Sequence, residues 1–222
     1  MRNRWLIALA AIGLHISIGS VYAWSVLTRP IMADMGFTMS QTTWTFSLAI
    51  LMLGLSAGFL GSFAEKIGPK KSGLLSMVFW VAGLFGTAYA LSIHNLTLLY
   101  LFYGIIGGIG LGIGYITPVS TLVKYFPKRP GFATGLAIMG FGFASLIAGP
   151  LMQFLVAQVG LVNNFIILGI IYLVVMGASS LYLKAPQPKQ PPRTTKDKST
   201  MYVHNHGMLA NDAMKTWQFG AL

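Results

Sequence analysis

Few side chains in this sequence could do chemistry in apolar surroundings, and their spacing groups several of them. His15, Gly19 and Tyr22 stand four and seven residues apart, the repeat of one helix face. Tyr22 and Trp24 lie in the run Gly19-Ser-Val-Tyr-Ala-Trp-Ser25, and Tyr115 and Thr117 in Gly110-Leu-Gly-Ile-Gly-Tyr-Ile-Thr-Pro118. Such groups place hydrogen-bonding atoms on apolar bodies, as a binding surface for a small polar solute requires. Each also has a plainer use. Tyr and Trp anchor helices at membrane interfaces, and a buried His can spend its ring on a neighbouring carbonyl.

Catalysis is not expected from this inventory. Hydrolysis within a membrane needs a nucleophile and a base, and His15 is the one base in the long apolar stretches, which hold no Asp or Glu. The chain has no Cys, so it has neither thiol chemistry nor a disulfide framework. His204-Asn-His206 could hold a metal loosely, but two His in a polar segment are ordinarily solvated. The expectation is no enzyme, no metal and no cofactor.

A second group of side chains is charged. Gly61-Ser-Phe-Ala-Glu-Lys-Ile-Gly-Pro-Lys-Lys71 places Glu65 among Lys66, Lys70 and Lys71, with Gly61 and Gly68 as flexible points. An acid among bases at a membrane surface can form a charge cluster that opens and closes as helices rock. It can equally be a plain cation-rich loop.

The elements that carry these residues follow from hydrophobicity. Of 222 residues 55% are hydrophobic and 9% charged, against about 25% charged in soluble domains. Crossing about 30 Å of hydrocarbon takes roughly 20 apolar residues in a helix. Six stretches meet that length: Trp5–Thr28, Thr42–Phe63, Gly73–Ile93, Thr97–Val123, Phe132–Val159 and Val162–Leu183. None contains Lys, Arg, Asp or Glu.

The net charge of +11 would suit nucleic acid, but its placement does not. Fourteen of the fifteen Lys and Arg fall in alternate connections: Arg2 and Arg4, then Lys66 to Lys71, Lys124 to Arg129, and Lys184 to Lys215. The intervening connections hold only Arg29, offset by Asp34. By the positive-inside rule both termini are cytoplasmic. The first stretch exceeds a signal-peptide core and is expected to be retained. From Ala185 the chain turns polar, with Pro186, Pro188, Pro191 and Pro192, which reads as linker over 184–222.

Small residues mark the packing seams. Gly104, Gly108 and Gly112 recur at intervals of four, so they line one helix face and admit a close neighbour. Pro118 removes a backbone donor later in the same stretch, and Ser145-x-x-x-Gly149-Pro150 marks the fifth stretch.

Several of these motifs carry a family resemblance. The Gly61–Lys71 loop resembles the major facilitator signature between helices two and three, with Glu65 as the acid, Lys66 as the first base, and Pro69 where a base is usual. Gly19–Ser25, Gly110–Pro118, Lys124-Tyr-Phe-Pro-Lys-Arg-Pro-Gly131 and Ala133-Thr-Gly-Leu-Ala-Ile-Met-Gly-Phe-Gly142 resemble the oxalate/formate antiporter branch, in the family's order. Met214–Phe219 resembles the approach to that family's seventh helix. The resemblance implies an all-α membrane protein: a six-helix bundle over 1–183, half of a facilitator fold, with a tail that includes the start of a seventh helix.

It further implies alternating-access transport of a small organic anion, oxalate, formate or a related monocarboxylate. Tyr22, Trp24, Tyr115, Thr117 and His15 would line the cavity, and a second half would supply cations. Ser145 in place of glycine and the missing helix-four Arg depart from the family pattern. Three conditions of the chain remain open on this reading: a working half, a half that pairs with a second chain, or a truncated remnant that transports nothing. With no Lys or Arg in the spans, the chain alone is not expected to carry a dianion.

Overall fold

The computed structural model describes residues 3–186, and no strand occurs among them. The elements are α1 (Arg4–Gly19), a 3₁₀ turn (Ser20–Ala23), α2 (Trp24–Met35), α3 (Met39–Ile67), α4 (Pro69–Ser92), α5 (Leu96–Leu99), a π-helical segment (Tyr100–Gly107), α6 (Gly108–Tyr125) and α7 (Pro130–Tyr182). Among the described residues five helical segments are long and apolar enough to cross a membrane: Arg4–Met35, Met39–Ile67, Pro69–Ser92, Leu96–Tyr125 and Pro130–Tyr182. The expected stretches fall on these segments, with Ile93 and Leu183 each one residue past a helix end.

Local chemistry sets the breaks. Gly36 ends α2 in the left-handed conformation with φ 67°, which glycine adopts freely and other residues rarely do. Thr38 and Gln41 then cap α3 reciprocally: the Gln41 N–H donates to Thr38 Oγ1 at 3.3 Å and the Thr38 N–H to Gln41 Oε1 at 2.9 Å. Gly68, with φ 84°, turns the chain from α3 into α4, and Pro69 occupies the first turn of α4. That position has no intrahelical use for an N–H, so Pro costs nothing where the family usually has a base.

The last segment differs from a single span. Its 53 residues would extend about 80 Å at 1.5 Å each, far beyond one bilayer. Gly160 breaks the helical backbone with φ 84° and ψ 171°, between the fifth and sixth expected stretches. Neighbours show the reversal. Going up the chain, Ala137 meets His15, Phe141 and Ala144 meet Gly19, and Gly149 meets Val26, so the first part runs along with α1 and α2. Beyond Gly160 the order inverts, with Phe165 beside Trp24 and Val175 and Ser179 beside Gly13.

Close approach between helices rests on the small residues. A Cβ added at Gly108 would lie 2.6 Å from Met52 Cβ and 2.8 Å from the Ala49 carbonyl, and one at Gly104 would lie 2.9 Å from Leu48 Cβ. Gly112 is pressed against Leu53 and Ser56 in the same way. The three glycines therefore form the seam between α3 and the continuous run of the π-helical segment and α6. Gly110, on another face, sits over the Trp80 backbone of α4. The centre of the bundle holds Trp24, Trp80, Tyr103 and Phe165, with the Trp24 and Tyr103 rings 4.3 Å apart. Helix α3 is the least covered: 11% of its most apolar window is buried, against 61% for the first segment.

Candidate functional site

Five elements converge on an aromatic face. The 3₁₀ turn presents Tyr22, whose ring meets Phe141 of α7 edge-on at 5.2 Å and Phe46 of α3 at 6.3 Å. Phe141 also meets Tyr115 of α6 at 5.2 Å and His15 of α1 at 5.6 Å. His15 and Tyr115 stack at 5.6 Å with 23° between their planes. The tight turn at Ser20–Ala23 matters here: its narrower winding turns Tyr22 onto this face while Trp24 points into the core.

His15 is wholly buried, with Nδ1 2.6 Å from the Ala137 carbonyl oxygen and Nε2 3.0 Å from that of Tyr115. A neutral imidazole donates from one nitrogen only, so its tautomer selects whether α7 or α6 is hydrogen-bonded to α1. Among the described residues its ring nitrogens meet only these two carbonyls, so no hydroxyl nucleophile is placed for it to activate. Trp24 is 3% exposed and its Nε1–H donates to the Thr42 carbonyl at 3.1 Å, tying α2 to α3.

Next to Tyr22 lies an open cleft of about 300 Å³ between α2 and α3. Its walls are Tyr22, Trp24, Ser25, Thr28 and Arg29 on one side and Met39, Thr43 and Phe46 on the other. Ser25 and Arg29 are four residues apart, as are Trp24 and Thr28, so one face of α2 supplies its wall. On α3 the spacing of Met39, Thr43 and Phe46 is four and then three.

Thr117 is elsewhere. Its hydroxyl lies 2.8 Å from that of Ser72 and donates to the Ile113 carbonyl at 2.8 Å, within the α4–α6 seam. Of the five cavity candidates, the structure thus joins His15, Tyr22 and Tyr115 in one aromatic face and sets Trp24 at the cleft wall, while Thr117 stands apart. Three neighbours were missed. Phe141 lies within the Ala133–Gly142 run, but nothing in that run distinguishes an inward Phe from a lipid-facing one. Phe46 carries no motif. Arg29 was set aside as offset by Asp34, yet Asp34 is five residues on, off its face, and no ion pair joins them among the described residues.

The charged loop sits at the other end of α3. Lys124 Nζ of α6 lies 3.5 Å from Glu65 Oε1, each side chain about half exposed. Lys66, Lys70 and Lys71 are exposed, and Gly61 is buried against Ile116. Gly149 is buried beside Val26 and Pro150 is exposed. Among the described residues no cluster of three or more His, Asp or Glu could hold a metal, and His204 and His206 lie outside them.

Comparison with known proteins decides the family. The family model described as Major Facilitator Superfamily matches residues 7–218. The chain belongs to this superfamily. It is 34% identical over 196 residues to an uncharacterized MFS-type transporter of Escherichia coli, covering 87% of this chain and 47% of that protein. With human monocarboxylate transporter 14 the identity is 29% over 174 residues, 76% of this chain and 33% of the relative. With the oxalate:formate antiporter of Oxalobacter formigenes it is 27% over 171 residues, 76% and 40%. The chain spans between 33% and 47% of the length of these three relatives. As a facilitator with five long apolar helical segments, it is an integral membrane protein.

Proposed function

We propose that this chain is a six-span facilitator half that takes part in alternating-access movement of small carboxylates, with both termini cytoplasmic. Gly160 divides α7 into two crossings, and the linker and start of a seventh helix expected within 184–222 lie outside the described residues beyond Pro186. Tyr22, Tyr115 and His15, with Phe141, form this half's share of the solute path, and Trp24 supports its wall. Glu65, Lys66, Lys70 and Lys71, together with Gly61 and Gly68, form the gating loop. The small-residue seam at Gly104, Gly108 and Gly112, with Gly149 and Pro150, holds the half rigid while it rocks against a second bundle.

One observation carries this reading: the exposed side chains of Tyr22, Ser25, Arg29 and Thr43 line an open cleft between α2 and α3. A lipid-facing flank has no use for Tyr, Ser, Thr and Arg; a flank that meets a second bundle around a solute does. The relatives' names, a monocarboxylate transporter and an oxalate:formate antiporter, favour an anionic solute. The same experiment separates this reading from that of a remnant that transports nothing.

The experiment uses the cysteine-free background. His94→Cys should react with an impermeant thiol reagent from outside, and Lys66→Cys should not. Tyr22→Cys should be protected from a permeant reagent by formate, acetate or oxalate and not by glucose. Formate-loaded liposomes holding this chain alone should show no oxalate uptake above empty ones, because one six-helix bundle cannot alternate access by itself. Outside labelling at Lys66→Cys would overturn the orientation. Absence of protection by every carboxylate would leave the non-transporting remnant as the reading.

A further inference from the structure

The cleft between α2 and α3 has a charge balance that the family resemblance does not assign. Arg29 is its one charged wall residue among the described residues. Arg29 makes no ion pair or hydrogen bond among the described residues, and Asp34 does not reach it. The hydroxyls around it differ in what they can offer. Thr28 Oγ1–H donates to the Trp24 carbonyl at 3.3 Å and Thr43 Oγ1–H to that of Met39 at 2.8 Å, so both protons are spent on their own helices. Ser25 Oγ has no hydrogen bond among the described residues and stands one turn from Arg29 on the same face. The remaining walls are Met39 and the rings of Tyr22, Trp24 and Phe46.

From this we infer that the cleft is an anion site belonging to this chain itself, selective for a monocarboxylate, with Arg29 as its cation. The inference rests on the reading that the chain handles small carboxylates and adds which charge class the half can hold. A guanidinium offers two parallel N–H donors that match one carboxylate. Ser25 supplies a third donor, and the apolar walls receive a short alkyl or hydrogen end. A second carboxylate on the same small solute would face aromatic rings and Met39 with no cation, and that desolvation is uncompensated. The volume of about 300 Å³ admits a small acid with its water. A phosphate headgroup of the bilayer presents the same anionic oxygens, so the experiment has to distinguish a free acid from lipid.

The full 222-residue chain is placed in nanodiscs of zwitterionic lipid at low salt, and binding of labelled acetate, oxalate and the neutral isostere acetamide is measured. Acetate should bind, oxalate more weakly, and acetamide not at all. Arg29→Gln should weaken acetate about tenfold or more, Arg29→Lys should recover part of the loss, and Ser25→Ala should cost a few fold. Thr43→Glu, which sets a carboxylate on the facing wall, should abolish acetate binding while the chain keeps its melting temperature. Acetate affinity unchanged in Arg29→Gln would overturn the inference and leave the carboxylate reading intact. Acetamide binding as well as acetate would overturn both. If anionic lipid competes with acetate through Arg29 and removes binding at equimolar levels, the cleft is a headgroup site and the inference fails.

Discussion

The two ends of α3 treat charge in opposite ways. At the Glu65 end the acid and Lys124 stand 3.5 Å apart, so the protein's own side chains satisfy one another across two helices. The small cavity beside them, about 50 Å³, is lined in part by Glu65 and Lys124 themselves. At the Arg29 end a cation faces a wider cleft of about 300 Å³ without a carboxylate among the described residues. A paired charge suits a latch, which closes on itself and opens when the helices part. An unpaired charge beside free volume suits a ligand, because the missing partner has to come from outside. The contrast also explains why net charge says little here: the same residue types serve closure at one end and capture at the other.

The comparison depends first on the seam that joins the ends. Gly108→Leu would drive a side chain into Met52 and the Ala49 backbone of α3. It should cost about 3 kcal/mol, the upper part of the usual range for overpacking, and lower the melting temperature in detergent. A wild-type melt for that variant would mean that α3 does not rely on this seam, and the two ends could then not be coupled through it.

A smaller effect separates core from path. Trp80 is 1% exposed in the α4–α6 packing, while Tyr22 is 44% exposed on the aromatic face. Trp80→Ala should lose about 3 kcal/mol of stability yet leave acetate affinity near wild type in the fraction that folds. Tyr22→Ala should melt within about 0.5 kcal/mol of wild type, as exposed sites do, and weaken acetate binding several fold. Equal, small affinity changes at both positions would return Tyr22 to an interfacial anchor.

The smallest effect sharpens the latch. Both members of the Glu65–Lys124 pair are half exposed, so water and salt screen it, and Glu65→Gln should change stability by only a few tenths of a kcal/mol. Its consequence should appear in access instead: a cysteine at Ser120, in the neighbouring cavity wall, should label faster in Glu65→Gln than in the parent. Unchanged labelling would show that the pair is a surface contact without a closing role.

Much of the architecture was readable from residue order alone. The long uncharged runs fall on the apolar helical segments, because lipid forces a helix on any such run. The spacing of Gly104, Gly108 and Gly112 announced a close neighbour, though not that the neighbour is α3. The break at Gly160 fell between two expected stretches. Its conformation, with φ 84°, is one that glycine adopts freely. The extension of the first segment to Met35 was less visible, since Arg29 and Asp34 looked like its end. A cation one turn past the apolar core can stay helical when it faces a cleft and not lipid.

The sequence by itself determined that this chain crosses a membrane as helices, where its cations gather, and which small residues mark close packing. Hydrophobicity and periodicity are local properties, and each can be counted along one strand of text. Only the tertiary structure decided which polar residues meet. Tyr22 joins Phe141, Tyr115 and His15 from three other helical elements. Thr117, two residues from Tyr115, instead bonds to Ser72 on another face. Arg29 lacks the partner that its neighbour in sequence appeared to provide. Two residues in sequence amount to more than half a helical turn, and five to a turn and a half, so neighbours in the chain face different partners. The helix that packs against each face is chosen by the fold.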